Sequence, residues 1–544
     1  MTRLRPEGRP RPSDPQRLED PPLSARGLAY GEKVAASLAT DSRAGRLASP
    51  SGIGQAGSAS CGSLVRIEVA VRDGVVRDAR YQAYGCPATL ACAATAAEKA
   101  QGASLLEAAR IGSAELAADL ELAPDKIGSA ETAIDALHAA LGAAIAVEVP
   151  LRDKGAQADP QGVLVGMSGG VDSAVAAFLL RSQGYRVVGA TLSLWNDPHA
   201  GGERSCCSEE TVRRARRVAH SLGIPHVTID ASALFYQSVV SYFIEEHEAG
   251  RTPNPCAKCN ARVRFGLMLD VAEVLGLSWL ATGHYARLTE EGQVLVRGCD
   301  ETKDQSYVLA EVDSAVLRRV IFPLGALTKR EVRRMATEAG LEGHGAPESQ
   351  EICFVADDDH GRFLRERLGE RPGLVVDRTG NRLGEHTGTY NYTIGQRKGL
   401  GIPSRGPLYV TAIDAGKAEV MVGDLEDLEV GTVVVGALTW QQPPPAGTIF
   451  LQVRSSGAPM RGRILHLGPG PDSGSCFSSE VTVALEEPAR AVACGQTAVV
   501  YADDEVICAG TIVFTQAGGR AGRQPQETQL DRGALGAGGR SPVV

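Results

Sequence analysis

Between residues 63 and 83 the chain alternates. Val65, Ile67, Val69 and Val71 are separated by polar or small neighbours, Asp73-Gly74 follows, and a second run returns over 75–83, a period of two around a turn that predicts a β-hairpin. Past Cys86-Pro87 small residues at helical spacing take over, first across 88–99 and then on to 146. Hairpin and helices together predict a separate α+β domain. A second pattern opens at 163–165 with a short apolar run suited to a buried parallel strand. It passes through Gly166, Met167, Ser168, Gly169, Gly170, Val171, Asp172 and Ser173 into the helical spacing of Val175, Phe178 and Leu179. Strands expected at 187–194, 226–229 and 280–282, with a helix at 213–222, predict an α/β doubly wound parallel sheet with its ligand at the carboxyl ends of the strands. From 430 onward short alternating strands at 433–435, 449–453, 481–485, 498–501 and 505–513, separated by Gly and Pro turns, predict a β-barrel.

These patterns divide the chain into a multidomain protein. Residues 1–58, rich in Pro, Arg, Ser and Gly, read as a disordered leader, and 59–148 as the α+β domain. A linker at 149–161 leads to the α/β domain at 162–368, a small central region at 369–429, the barrel at 430–516 and a disordered tail at 517–544. No apolar run reaches membrane-spanning length and no secretory signal is visible, so a cytoplasmic protein without a membrane partner is expected. The net charge of −9 argues against a generic nucleic-acid coat. Local basic patches remain at Arg213, Arg214, Arg216 and Arg217, at Lys329, Arg330, Arg333 and Arg334, and at Arg397, Lys398 and Arg405. Tyr390 and Tyr392 stand near the last of these as candidates for stacking on RNA. Twelve cysteines in a chain without a secretory signal suggest thiol or metal chemistry in preference to disulfides.

The chemistry concentrates at three places. In the strand-to-helix turn, Gly169 and Gly170 let backbone amides point inward, Ser168 and Ser173 add hydroxyls, and the helix N-terminus favours an anion. Such a loop holds a polyphosphate, and it lacks the Lys and the spacing of a Walker loop. Leu192 on the next strand and Gly283 in Thr-Gly-His-Tyr are placed to flank an adenine. The second place is Thr-Pro-Asn-Pro-Cys-Ala-Lys-Cys, where two prolines present Cys256 and Cys259 on a stiff loop. The third is Ser-Gln-Glu-Ile-Cys-Phe around Cys353. A Cys-x-x-Cys pair alone leaves zinc, redox and cluster chemistry open. Cys61 and Cys86, at the two ends of the hairpin, suit a cluster, a metal or a persulfide relay, and Cys206-Cys207 suits a structural role.

The octet 166–173 resembles the PP-loop of the ATP pyrophosphatases, which implies ATP as cofactor, pyrophosphate in the loop and Asp172 assisting magnesium. The stretch from Cys61-Gly62 through the hairpin to Gly85-Cys86 resembles the NifU and IscU iron–sulfur scaffolds. It departs from them at Ser63, where they have an Asp, and over 126–141, where no third Cys is found. Residues from about 162 to 516 resemble the MnmA-type tRNA-specific 2-thiouridylases, through GMSGGVDS, Thr252-Pro-Asn-Pro, Thr282-Gly-His-Tyr-Ala-Arg, Lys303-Asp-Gln-Ser-Tyr, Phe322-Pro-Leu-Gly, Ser349-Gln-Glu-Ile-Cys-Phe, Tyr392-Thr-Ile-Gly-Gln-Arg-Lys-Gly-Leu and Gly495-Gln496. That resemblance implies ATP-dependent 2-thiolation of the wobble uridine of tRNA, with Cys259 as nucleophile and Cys353 as the persulfide carrier. It further implies that Asn254, Pro255 and Cys256 meet the target base and that His284, Lys303, Asp304, Gln305 and Gln496 meet the tRNA. Arg454 and Ser455 stand where the family has an Arg-Tyr pair on the barrel.

Cys256 replaces a family Asp, so Cys256, Cys259 and Cys353 form a three-cysteine set for an iron–sulfur cluster, beside the metal-free persulfide route. A cysteine desulfurase or sulfur-relay protein is the expected donor. Two rivals stay open: another PP-loop AMP-forming enzyme, and an iron–sulfur carrier with a passive nucleotide loop.

Overall fold

The computed structural model describes residues 31–58, 62–151, 158–195, 197, 209–289, 294–341, 352–355, 359–404, 406–468 and 479–517. They form two compact units. The first gathers the described residues of Met1–Val240, Lys258–Ser306 and Ser314–Asp358, and the second those of Ser241–Ala257, Tyr307–Asp313 and Asp359–Val544.

Within the first unit, order begins well before residue 59. Helix α1 (Glu32–Thr40) and strand β1 (Gly52–Ser58) precede the expected hairpin of β2 (Ser63–Arg72) and β3 (Val75–Tyr84). The three strands form one antiparallel sheet in the order β1-β2-β3. This corrects the reading of residues 31–58 as a disordered leader; residues 1–30 and 518–544 lie outside the described residues. The sequence of β1, GIGQAGS, hides its strand because its glycines serve close packing. A methyl group on Gly52 or Gly54 would stand 2.0 Å from the carbonyl oxygens of Ala140 and Ala136. Those carbonyls belong to helix α3 (Ile127–Glu148), which follows α2 (Pro87–Ala100).

Helix α3 is apolar on nearly every side. By length and composition Pro124–Glu148 could cross a membrane, contrary to the expectation that no run reaches that length, yet 67% of its most apolar window is buried. It is a core helix, packed on β1 and β2 and also on strand β6 of a second sheet. That sheet consists of β4 (Asp159–Gly166), β5 (Arg186–Ser193), β6 (His226–Asp230), β7 (Leu277–Thr282) and β8 (Val320–Ile321). Its order is β8-β7-β4-β5-β6 and every pairing is parallel, as the doubly wound expectation requires. Helices α4 (Val171–Ser182), α5 (Glu209–Ser221), α6 (Phe265–Val274) and α7 (Lys329–Glu338) alternate with the strands. The chain runs from β4 outward to β6 and returns on the other side of β4 as β7, so the carboxyl end of β4 is a switch point, where ligands of such sheets bind.

The N-terminal sheet and the parallel sheet are joined through α3 and α5. Arg213 Nε lies 2.7 Å from Asp135 Oδ2, Arg216 pairs with the other Asp135 oxygen, and Arg217 lies 3.5 Å from Glu131 Oε1. Arg213, Arg216 and Arg217 of the first basic patch are therefore engaged in ion pairs inside the unit. His138 and His226 are buried in the same joint, His138 Nε2 donating to Ile111 O at 3.1 Å and His226 Nε2 bonded to Thr191 Oγ1 at 2.9 Å. Burial, then the charge of Arg216, holds both imidazoles far below their ordinary range and so neutral.

In the second unit β9 (Gly373–Val376), β10 (Arg382–His386), β11 (Tyr409–Asp414) and β12 (Glu419–Gly423) form a sheet in the order β10-β9-β12-β11. Tyr392 packs into its core with Val375, Val410 and Val420, and the buried Tyr390 donates its hydroxyl to Gly369 O at 2.6 Å. Neither ring is placed to stack on a base, because each fills a core. Beyond them β13 (Glu429–Trp440), β14 (Ile449–Gln452), β15 (Met460–Leu467), β16 (Glu480–Arg490), β17 (Thr497–Ala502) and β18 (Glu505–Gln516) run β13-β16-β15-β14-β17-β18. Pairing of β13 with β18 closes the barrel. Strand β15 was not expected, since Arg461, Arg463, Leu465 and His466 face outward and break the alternation.

Candidate functional site

Strand β4 delivers the loop to the edge of the sheet. Met167 stays in the core and its backbone bonds both ways with β5, its amide to Ala190 O at 2.7 Å and its carbonyl to Thr191 Oγ1 at 2.7 Å. Gly169 has φ 71°, and a methyl group there would stand 2.6 Å from Thr211 O on α5, so this turn demands glycine on two counts. Gly170 is the N-cap of α4 and makes no side-chain cap, which leaves the first-turn amides directed at the loop. Ser173 braces the turn, accepting from Ser168 N at 3.2 Å and donating to Gly170 O at 3.1 Å. Leu192 is buried near the carboxyl end of β5. Gly283 lies against α4 itself, where a methyl group would meet Ser173 N at 2.8 Å.

Asp172, in the first turn of α4, is held from two sides. Lys329 Nζ donates to its Oδ1 and Oδ2 at 2.8 and 2.7 Å, and Tyr285 OH donates to Oδ1 at 2.8 Å. Burial, then the Asp172 charge, raises the Tyr285 phenol far above its usual range, so it remains a donor. Neither Lys329 nor Tyr285 is legible as a site residue in the sequence. Lys329 reads there as one cation of an Arg-rich helix face, and the clue that it differs is its place directly after the Thr328 cap.

Two expected tRNA contacts are engaged inside the first unit. Asp304 accepts from Gly298 N, Ser306 N and Ser306 Oγ at 2.9, 3.0 and 2.8 Å and pairs with Arg297 at 3.0 Å. Gln305 exchanges bonds with Tyr285, its amide to Tyr285 O and its Oε1 from Tyr285 N, both 2.9 Å. These two side chains shape the loop that carries Lys303. His284 shares a 2.8 Å bond with Thr282 Oγ1 and lies near the Phe265 and Phe322 rings; burial, then Arg264, pushes its imidazole down to about 3.

Cys256 and Cys259 sit on the short helix Pro255–Cys259. Pro255 starts it, as a first helical position favours, and Asn254 Oδ1 accepts from Ala257 N at 3.2 Å to cap it. Cys256 is exposed, Cys259 is buried and Cys353 is half-buried. Among the described residues no three His, Cys, Asp or Glu side chains are placed to hold a metal ion, so the set Cys256, Cys259 and Cys353 is not gathered as ligands. One helix turning one thiol outward and the other inward is the physical reason.

In the second unit the barrel receives the segment before that helix. Thr252 N donates to Cys494 O at 2.9 Å, and Gly495, at φ 93°, lies where any side chain would strike Thr252 N. The buried Tyr307 hydroxyl donates to Thr497 O at 2.7 Å and also bonds Asn254. Asn254 and Gln496 are thereby brought to one place. Arg454 reaches back to Ala491 O, and Ser455 O accepts from Gln452 Nε2 at 3.2 Å.

In the N-terminal domain Cys86 caps α2 among hydroxyls. Its Sγ lies 3.5 Å from Thr89 Oγ1 and 3.8 Å from Ser129 Oγ, and Thr89 also bonds Ser63 Oγ at 3.2 Å. Ser129 of α3, within the stretch 126–141 that holds no Cys, thus stands beside Cys86, and Cys61 lies outside the described residues. Cys92 faces the core, and burial pushes its thiol up to about 12. A cluster needs several thiolates. Of the expected pair Cys61 and Cys86, the described residues include Cys86 alone. For Cys86, burial works upward, but hydrogen bonds from Thr89 and Ser129 outweigh it and hold the thiol below its ordinary value. Alkylation of Cys86 by iodoacetamide, followed by peptide mapping, is therefore expected to persist at a pH where an ordinary thiol has slowed. Thr89→Val should move that pH profile upward; an unchanged profile would refute the role given to the hydroxyls.

Residues 161–357 match the family described as tRNA methyl transferase HUP domain, 361–424 its PRC-barrel domain, 431–512 an aminomethyltransferase β-barrel domain and 29–145 the NifU-like N terminal domain. A protein of Rubrobacter xylanophilus named bifunctional protein NifU/MnmA is 42% identical over 487 residues, 87% of this chain and 96% of that one. A tRNA-specific 2-thiouridylase MnmA of Geobacter metallireducens is 42% identical over 361 residues, 64% of this chain and 96% of its own length.

Proposed function

Since the chain belongs to the MnmA family of tRNA-specific 2-thiouridylases, in the form that carries a NifU-like domain, we propose that it replaces the C2 oxygen of the wobble uridine of tRNA by sulfur at the expense of ATP. The observation that supports this most directly is the pairing, in one chain, of a polyphosphate loop at a sheet switch point with the Cys259 helix and Cys353.

An oxygen on a pyrimidine leaves poorly, so it is first adenylated. With the base turned out of its stack, the C2 oxygen attacks the α-phosphorus of ATP, a new P–O bond forms, and pyrophosphate leaves into the amides of Gly169 and Gly170. The terminal sulfur of a Cys353 persulfide then attacks C2 and AMP departs with the former C2 oxygen. Cys259 thiolate attacks Cys353 Sγ, the persulfide S–S bond breaks with its electron pair passing to the sulfur left on C2, and a Cys259–Cys353 disulfide forms. A thiol reductant restores the pair by supplying two electrons. Asn254, Pro255, Cys256, Lys303 and Gln496 serve base and tRNA binding in this reading.

Magnesium assisted by Asp172 would share that carboxylate with Lys329 and Tyr285, which donate to both of its oxygens. The low-lying thiol of Cys86 suits a persulfide received from a cysteine desulfurase or relay protein in the cytoplasm. Mass spectrometry of wobble nucleosides from cells lacking this chain is expected to show loss of 2-thiouridine, and purified protein to release pyrophosphate only when tRNA is present. Wobble nucleosides that keep their sulfur would reject the reading, and absence of tRNA-dependent pyrophosphate would favour the passive carrier.

A further inference from the structure

We propose that Lys329 is a phosphate-binding residue of the ATP site, an ammonium held over the α4 N-terminus by Asp172 and Tyr285 to meet the pyrophosphate portion of the nucleotide. The assignment rests on the ATP-dependent reading above and adds to it a residue that the loop motif does not contain.

The position of this amine is determined from several directions. Thr328 and Glu331 form a reciprocal cap that starts α7 at Lys329, and Lys329 N donates to Asp300 Oδ2 at 2.9 Å, so the backbone cannot drift. The side chain then points across to α4, largely buried, with Nζ within 2.8 Å of both Asp172 oxygens and 5.8 Å from the centre of the Tyr285 ring. A cation beside a helix N-terminus is electrostatically out of place, since the macrodipole there already favours negative charge. Asp172 offsets one of the two positive sources. The remaining positive potential, beside the Gly169 and Gly170 amides, matches a polyphosphate and exceeds what a single carboxylate needs.

A purely mechanical role for the pair explains less. Helix α7 is already fastened to α4 by Val332, Ala336 and the following Leu341, which share one apolar core with Ala174, Val175 and Ala177. A half-buried ion pair adds little to such a contact, because desolvation and solvent screening together consume most of its Coulomb gain. Charge placed there is better explained by an anionic ligand. During adenylation the leaving pyrophosphate gains charge, and a fixed ammonium stabilises it without reorganisation. Lysine suits this as a compact point charge with three donors, two directed at Asp172 and the third left for a phosphate oxygen.

Two measurements test the assignment. An acyl-phosphate derivative of ATP, which transfers its acyl group to a lysine amine near the terminal phosphate, is expected to label Lys329 in the wild-type chain, with ATP protecting it. Lys329→Ala should weaken ATP binding about 10- to 100-fold while AMP binding stays within about threefold, and Lys329→Arg should recover most of the loss. Equal loss for ATP and AMP, ATP binding indifferent to Lys329→Ala, or label confined to other lysines would overturn the assignment alone. Wild-type protein that takes up no ATP would overturn the adenylation reading and this assignment with it.

Discussion

The Cys259→Ser protein is expected to bind ATP and, with tRNA, to release a single pyrophosphate per site at nearly the wild-type rate, yet to yield less than about one thousandth of the thiolated product. Adenylation asks nothing of this side chain. The later step does, because a hydroxyl is too weakly acidic and too weakly nucleophilic toward sulfur to open the Cys353 persulfide. Serine is close in size to cysteine, and the buried thiol sits at the end of a helix whose start is capped by Asn254. The fold should therefore survive, which a thermal melt within a few degrees of wild type would verify. Cys353→Ser should show the same split between pyrophosphate release and thiolation. Cys256→Ser should retain most of its activity, since serine keeps a small polar group beside the target base and the exposed thiol is gathered into no metal-holding group among the described residues. Full thiolation by Cys259→Ser, or loss of it in Cys256→Ser alone, would remove Cys259 from the sulfur step.

The second large effect lies in a helix. Gly142→Val places a side chain where its first carbon would stand 1.8 Å from Thr228 O, between α3 and β6. Glycine to a larger residue inside a helix ordinarily costs nothing in helix propensity and often helps. Here the overlap is with backbone, which cannot swing aside, so a loss of roughly 2–4 kcal/mol is expected, or release of the N-terminal domain from the parallel sheet. Limited proteolysis within the 149–161 stretch and a split melting transition would report that release. Gly128→Ala on the same helix meets nothing within 4 Å and should be neutral or slightly stabilising, by up to about 1 kcal/mol. If the two variants melted alike, α3 would not be seated on β6 as described.

The ion pairs across the same joint show how a charge pattern can mislead. Arg213, Arg214, Arg216 and Arg217 look in one dimension like a surface for phosphate, and in three dimensions Arg213 and Arg216 meet Asp135 and Arg217 meets Glu131. The partners lie some eighty positions earlier in the chain. No local pattern could have announced them.

Local physics carried much of the rest. The hairpin, the strand entering the glycine loop, the parallel sheet and most barrel strands were legible because each depends on periodicity, turn chemistry or a helix N-terminus, all expressed within a few residues. The thiols, the loop and the family were legible for the same reason: reactive residues occur in short ordered stretches. What required the folded chain was every contact made at long separation. Gly52 and Gly54 conceal a strand because a helix crosses them, Ser129 stands beside Cys86, Tyr390 and Tyr392 turn into a core, and Lys329 reaches Asp172 across 157 positions. Such pairings arise from how helices and sheets pack, and packing brings together residues whose separation along the chain bears no relation to their distance in space.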